Sequence, residues 1–348
     1  MQAKNLEREA LFRLPALLAA LLEISVTEVR SLAPEKSGLD AVLEAGARVW
    51  LVEVTSSSNP RTVAAAAEHL HRSVSAAEPG ALGVLVVPYM TKAGARTATE
   101  HALNWIDLAG NGHIRDRGLH VRVEGVPNPF PARGRPSTPF APKSARVSRL
   151  MLLEPWKWWR QKNLAAETGL DDGQVSRVVR RLDEDLLLDR QGAEFRPRDP
   201  YALLDAWADG YRFDRHDVVT GHVTGSGMEV VDRLHRQLVD NNIDHAFTGL
   251  PAAWALGQHA RFRLVSIYVT GDPRVAADAL GLRRGDRGAN VQVIGPDDEG
   301  VFAGARDLGG RPCVSPPQVY LDLLHLPERA KEAAEQLRSD KLLWATHA

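Results

Sequence analysis

The sequence predicts a multi-domain α/β chain in which a winged helix-turn-helix sits between two α/β domains. Three observations predict it. Apolar β-branched runs alternate with amphipathic stretches before residue 125 and again after residue 211, the pattern of strands and their covering helices. A stretch with six prolines, at 127, 129, 131, 136, 139 and 142, excludes helix and central strand and separates two parts of the chain. Residues 144–198 hold three short helical patterns and then a glycine-centred hairpin pattern. The expected division is 1–125, an α/β domain; 126–143, a proline-rich linker; 144–210, the helical module; and 211–348, a second α/β domain.

In chain order, an amphipathic helix is expected near Leu6–Leu22, with its most apolar part starting at Pro15. Strands follow at Leu39–Leu43 and Val49–Thr55, then an alanine-rich helix at Pro60–Val74 with proline in its first turn. Leu82–Val87 reads as a buried strand. A helix at Lys92–Asn104, a strand at Trp105–Leu108 and a hairpin through Val121–Val123 complete the domain. Beyond a connecting helix at Pro200–Gly210, strands are expected at Ala246–Thr248, Leu264–Val269 and Val291–Ile294. Helices are expected at Gly227–Asn241, Pro251–Leu256 and Arg274–Leu280, with one long helix at Pro316–Leu343.

Of the 348 residues, 44% are hydrophobic and 25% charged, which places the chain among globular rather than disordered sequences. Cys313 is the single cysteine. It excludes an internal disulfide and a multi-cysteine zinc site, and it fits a reducing, cytoplasmic setting. The apolar run Leu14–Leu22 is too short for a membrane span. Glu7 and Glu9 stand where a secretory leader would be basic. The net charge of −1 argues for no particular partner, but its distribution does. From Arg133 to Arg181 there are eleven basic and four acidic residues, which leaves the remainder of the chain at −8. A basic island in an acidic chain is the footprint of a phosphate-binding module.

Within that island, Ser144 is placed to cap a first helix that buries Val147, Leu150 and Met151, and Pro155 ends it. A second helix is expected at Gln161–Thr168, with Gly169 supplying the turn. Asp171 or Asp172 caps a third. On the third helix Val175, Val178, Val179 and Leu182 form one apolar stripe, so Gln174, Ser176, Arg177, Arg180 and Arg181 face outward. Arginine suits guanine edges and glutamine adenine edges in the major groove. Leu186–Leu188, Gly192 and Phe195–Arg198 read as the wing, with Arg190, Arg196 and Arg198 set to meet phosphates. Arg146, Arg149, Lys157, Arg160 and Lys162 are further phosphate candidates. Trp156, Trp158 and Trp159 are expected to pack the module's core or a neighbouring domain, with base stacking the alternative.

In the first domain, Asp40 on one strand and Glu53 on the next, after a helix with Glu7 or Glu9, resemble the PD-(D/E)XK nuclease arrangement. There two carboxylates hold a metal and a lysine two residues later activates water. Thr55 occupies that lysine position, and Lys36 is the candidate for a migrated replacement. Asp107–Gly112 reads as a tight turn with Asp107 binding backbone. In the last domain, Phe247-Thr248-Gly249 and the strand Arg263–Val269 resemble a small nucleotidyltransferase. Ser266 and Tyr268, however, stand where that fold carries metal-binding carboxylates. His222, His235, His245 and His259 are scattered and read as surface or packed residues.

The order of nuclease-like domain, winged helix and carboxylate-less nucleotidyltransferase-like domain resembles the AbiEi-type antitoxins of type IV toxin–antitoxin systems, in a long bacterial subgroup. The matching residues are Asp107–Gly112, Leu164–Leu182, Phe247–Ala253, Gln318–Leu324 and Glu328–Leu337. The smaller members of that family lack the N-terminal domain. The resemblance implies a transcriptional regulator that binds DNA near its own operon and represses it. The expectation is therefore a non-enzymatic, sequence-specific regulator of duplex DNA, homodimeric because paired half-sites match paired winged helices. It needs no cofactor, metal or membrane, and no toxin partner is identified. The alternative is a metal-dependent DNA-processing nuclease that uses Asp40 and Glu53.

Overall fold

A computed structural model describes residues 3–32, 38–130, 138–257, 262–327, 329–342 and 344. Lys36, Pro131, Arg133, Arg135, Pro136, His259, Glu328 and Leu343 lie outside the described residues. The chain divides into two compact units, Met1–Pro136 with Glu184–Leu186, and Ser137–Asp183 with Leu187–Ala348.

The first unit contains α1 (Ala3–Leu22), β1 (Arg30–Leu32), β2 (Ala41–Ala45), β3 (Arg48–Val54), α2 (Pro60–Ala76), β4 (Leu82–Val87), α3 (Lys92–Glu100), β5 (Asn104–Asp107), β6 (Gly112–Asp116) and β7 (Leu119–Val123). The strands form one mixed sheet in chain order, β1 to β7. β3, β4 and β5 run parallel, so their connections cross over, and α2 and α3 are those crossovers. Alternation along each strand sorts the core into two layers. Trp50, Val52, Val84, Val86 and Ile106 pack with Leu14 and Leu18 of α1 on one face. Leu51, Leu85, Val87 and Trp105 pack with Val63 and Leu70 of α2 on the other. α1 runs through Pro15; the buried Leu14 and Leu18 hold the helix on either side of the lost hydrogen bond.

The second unit opens with α4 (Ala145–Leu153), α5 (Gln161–Thr168), α6 (Asp172–Glu184, whose last residue belongs to the first unit), β8 (Leu188–Gln191), β9 (Glu194–Pro197) and α7 (Pro200–Gly210). It continues with β10 (Asp217–His222), α8 (Gly227–Asp240), β11 (His245–Thr248), α9 (Gly249–Gly257), β12 (Val265–Val269), α10 (Pro273–Ala279), β13 (Arg283–Arg284), β14 (Val291–Gly295), β15 (Arg306–Asp307), β16 (Pro312–Cys313), α11 (Pro316–Leu323) and α12 (Ala330–Asp340). Its larger sheet has the order β13-β10-β14-β12-β11-β16-β15. β12 is parallel to β14 and antiparallel to β11. The buried side chains from Ala145 to Trp344 form a single apolar cluster, so α4–α7 and this sheet share one core.

Two expectations about elements need correction. The long C-terminal helix is two helices, because Pro327 offers no N–H and disfavours helical backbone at Leu326. Ser144 is itself helical (φ −64°, ψ −34°) and makes no side-chain cap.

Candidate nucleic-acid interface

α5 and α6 are joined at Gly169, whose φ of +68° is left-handed and which accordingly closes α5. Asp171, rather than Asp172, caps α6. Its carboxylate accepts from the Gln174 N–H (2.7 Å), and the Gln174 side-chain oxygen accepts from the Asp171 N–H (3.3 Å), the reciprocal arrangement of a capping box. Val175, Val178, Val179 and Leu182 are all buried, so the stripe read from the sequence is the inner face of α6. β8 and β9 form a hairpin through Gly192. Trp159 exchanges two backbone hydrogen bonds with Phe195 (2.8 and 2.9 Å) and so adds a one-residue third strand to it. Trp159 is fully buried, and its neighbours Trp156 and Trp158 lie under the Arg196 guanidinium.

The thirteen expected DNA contacts separate by environment. Ser176, Arg177 and Arg180 on α6 and Lys162 on α5 are exposed. Among the described residues, Arg177, Arg180 and Lys162 make no ion pair. Gln174 is half-buried and its oxygen accepts from the Asp171 N–H. Arg181 is half-buried and has a partner of its own. Arg160 pairs with Glu194, Arg190 with Asp183 and Arg198 with Asp189, each near 3 Å. Lys157 reaches Glu154 and Glu167 and lies 3.8 Å over the Trp159 ring. Apart from the Arg190 pair, whose Asp183 is largely buried, these are exposed pairs that contribute about 0–1 kcal/mol, so a phosphate can compete for Lys157, Arg160 and Arg198.

Arg146 and Arg149 depart from expectation. Arg146 forks onto both oxygens of Asp298 (2.7 and 2.8 Å) and donates to the Thr168 carbonyl. Arg149 is 3% exposed, donates to Gln318 Oε1 (2.7 Å) and stacks over Trp207. Arg146 is committed to Asp298 and Arg149 is buried, so neither is presented to the phosphate backbone of a duplex. The cause is that α4 is covered on several sides, by α7, by α11 and by the 299–302 turn, so its arginines are internal. Leu150, expected on the buried face, is only half-buried.

A buried polar cluster lies beside Arg149. Asp322, fully buried, accepts from Thr248, Tyr211, Tyr268 (3.1 Å) and Gln318 Nε2 (2.9 Å). Burial pushes its carboxyl up to about 6 against the lowering effect of those four donors. His216 Nδ1 accepts from the Asp297 N–H (3.0 Å), so the neutral ring carries its proton on Nε2, facing the hydroxyls of Tyr211 (2.9 Å) and Tyr268 (3.2 Å). Burial pulls His216 down to about 4. Tyr268 is thus a hydrogen-bonding residue of the core, and Ser266 donates to Gln292 (3.2 Å). Gly249 is left-handed (φ +59°), and a Cβ there would lie 2.4 Å from Leu326. Leu326 therefore occupies the space beside Gly249, where no larger residue fits without displacing it.

In the first unit, Asp40 Oδ2 accepts from the Val54 N–H (2.6 Å) and Glu53 is 2.9 Å from His69 Nδ1. Burial raises the Glu53 carboxyl. Thr55 donates to the Ser57 carbonyl. No group of three or more His, Cys, Asp or Glu suited to a metal occurs among the described residues. Asp107, fully buried, accepts from the N–H groups of Met90, Ala109, Gly110 and Asn111 and from the Asn111 amide, the turn-forming role expected of it. No described helix is long and apolar enough to cross a membrane. His69, Tyr211, His216, Gln318 and Asp322 are polar centres that sequence reasoning did not single out for a role; of these, only the glutamine and the aspartate fell inside a quoted motif.

No curated protein and no solved structure matches the chain. Residues 197–343, from the end of β9 past α12, match the model of a family described as transcriptional regulator, AbiEi antitoxin, type IV TA system, and it is this family that the second unit is similar to.

Proposed function

We propose that the chain is a DNA-binding transcriptional regulator that reads duplex DNA with α6 in the major groove and the β8–β9 hairpin as a wing. The observation that carries the reading is the outer face of α6. Arg177 and Arg180 are exposed and unpaired among the described residues, on a helix whose other face is locked into the core. Exposed arginines on a fixed helix are what base readout needs, because the scaffold supplies the register. The similarity of residues 197–343 to transcriptional regulators supports the same reading. A homodimer would present two such helices to paired half-sites, and repression of a neighbouring operon is the expected output. The division of labour is a reader at 144–198 and a folded support at 211–348, with the first unit as an accessory domain.

The test is titration of labelled duplex DNA from the chain's own upstream region, alongside a scrambled duplex, with and without Mg²⁺ or Mn²⁺. Preferential retardation of the upstream duplex, with both strands intact, is expected. Equal affinity for both duplexes removes the regulator reading. Metal-dependent cutting that disappears in Glu53→Ala moves the function to the first unit.

A further inference from the structure

Arg149 lines a pocket in the second unit together with Phe140, Trp207, Tyr211, His216 and Arg215. Arg149 is 3% exposed and its Nη2 donates to Gln318, but its buried Nε and Nη1 have no hydrogen-bond partner. Buried N–H groups of a charged side chain are seldom left unpaired, because each such group forfeits the hydration it had in the unfolded chain. The nearby carboxylates do not answer them. Asp298 is held by Arg146 and the Gly300 N–H, Asp297 lies against Arg215, and Asp322 accepts from its own four donors. The pocket therefore combines apolar and aromatic walls with a cation that has donors to spare, the make-up of a small-ligand site in which a few polar groups fix orientation.

We infer that this pocket binds a small oxyanion, a carboxylate or a phosphate, and that the anion is an effector of the DNA-binding segment. The second clause rests on the regulator reading. The pocket is built on α4, which carries Arg149 and Arg146, and Arg146 in turn joins the 298 turn to the end of α5 through Asp298 and the Thr168 carbonyl. An anion seated against Arg149 thus contacts the element that supports α5 and α6, and any difference in anion affinity between DNA-competent and incompetent arrangements becomes a change in DNA affinity.

Calorimetry and thermal melting of the full chain test the first clause without DNA. The probes are sodium phosphate, acetate and benzoate at constant ionic strength with chloride as balance, and benzamide as the uncharged counterpart. At least one oxyanion should bind with a dissociation constant at or below the millimolar range and raise the melting temperature, while benzamide should not. The preferred probe separates a phosphate source from a carboxylate one. Arg149→Gln should weaken binding at least tenfold. Because that variant can lose stability, Gly210→Leu provides the second. The atoms nearest to a Cβ at Gly210 are those of Phe140 and Thr138, at 3.7–3.9 Å, so the backbone admits a side chain there, beside the pocket that Gly210 lines. No binding of any anion, or unchanged binding in folded Gly210→Leu, overturns the site. The effector clause is read separately, as a change of at least threefold in DNA affinity on adding the bound anion. Anion binding without that change, or with no DNA binding at all, overturns the effector clause and leaves the pocket standing.

Discussion

Arg177 and Arg180 differ from the other arginines described in the island in a way that only the folded chain reveals. Each is exposed and lacks an ion-pair partner among the described residues, so each reaches DNA without breaking a contact. Replacing either by alanine should weaken binding to the preferred duplex by about 1–3 kcal/mol if it contacts a base, with the melting temperature unchanged. A double variant with wild-type DNA affinity would exclude α6 as the reader. His216 supports a prediction of a different kind. Folding lowers its pKa from 6.5 to about 4, so the unfolded chain binds more protons between those values. The stability it contributes is whole above pH 6.5 and is lost as pH falls towards 4. Asp322 has the opposite slope, because folding raises its pKa from 3.8 to about 6 and its ionisation weakens the fold as pH rises through that window. The comparison of wild type with His216→Gln isolates the histidine: the wild type's advantage in urea unfolding should shrink from pH 7 to pH 4. A constant gap would mean that the ring is not held neutral. Neither group was legible as a site in the sequence. Three of the four partners of Asp322 lie 54, 74 and 111 residues away in the chain, and no periodicity connects them to it.

Capping and periodicity, by contrast, are local, and here the sequence was a good guide. The limits of α5 and α7 and the inner stripe of α6 follow from residues within one or two turns of each other. What escaped was set by distant contacts. α4 reads as amphipathic with arginines outward, yet α11, far along the chain, covers that side and turns Arg146 and Arg149 inward. β1, β13, β15 and β16 are two or three residues long, too short for alternation to register, and they exist because a neighbouring strand offers hydrogen bonds. Asp171 gives the element-scale prediction. Asp171→Ala removes the acceptor for the Gln174 N–H and should cost about 1 kcal/mol of stability. It should also reduce DNA affinity modestly by loosening the first turn of α6. Asp171→Ser should restore most of both, because serine caps nearly as well. A melting temperature unmoved by the alanine change would show that the cap does not hold the helix.

At the scale of the whole molecule the chain is close to neutral, at −1, so attraction to DNA has to come from where its charges sit. The island's surplus of basic residues overstates the available surface. Arg146 is committed to Asp298 and Arg149 is interior, while Lys157, Arg160 and Arg198 share themselves with carboxylates. Lys162, with Arg196 and whichever paired cations exchange partners, then supplies roughly three or four phosphate contacts per reading segment. Counterion release makes the slope of log K against log salt about −3 per segment, and twice that in a dimer. Because phosphate contacts carry little sequence information, the preferred and scrambled duplexes should show similar slopes. Lys162→Gln should reduce the slope by about one for both duplexes. Arg146→Gln makes the contrasting case: it breaks a charge-assisted hydrogen bond inside the fold, so it should lower stability by about 1–3 kcal/mol and leave the slope alone. A shallower slope in Arg146→Gln would return Arg146 to the DNA surface. A response flat in salt for both duplexes would mean that the exposed cations only solvate the protein, and α6 would then have no phosphate contacts to position it.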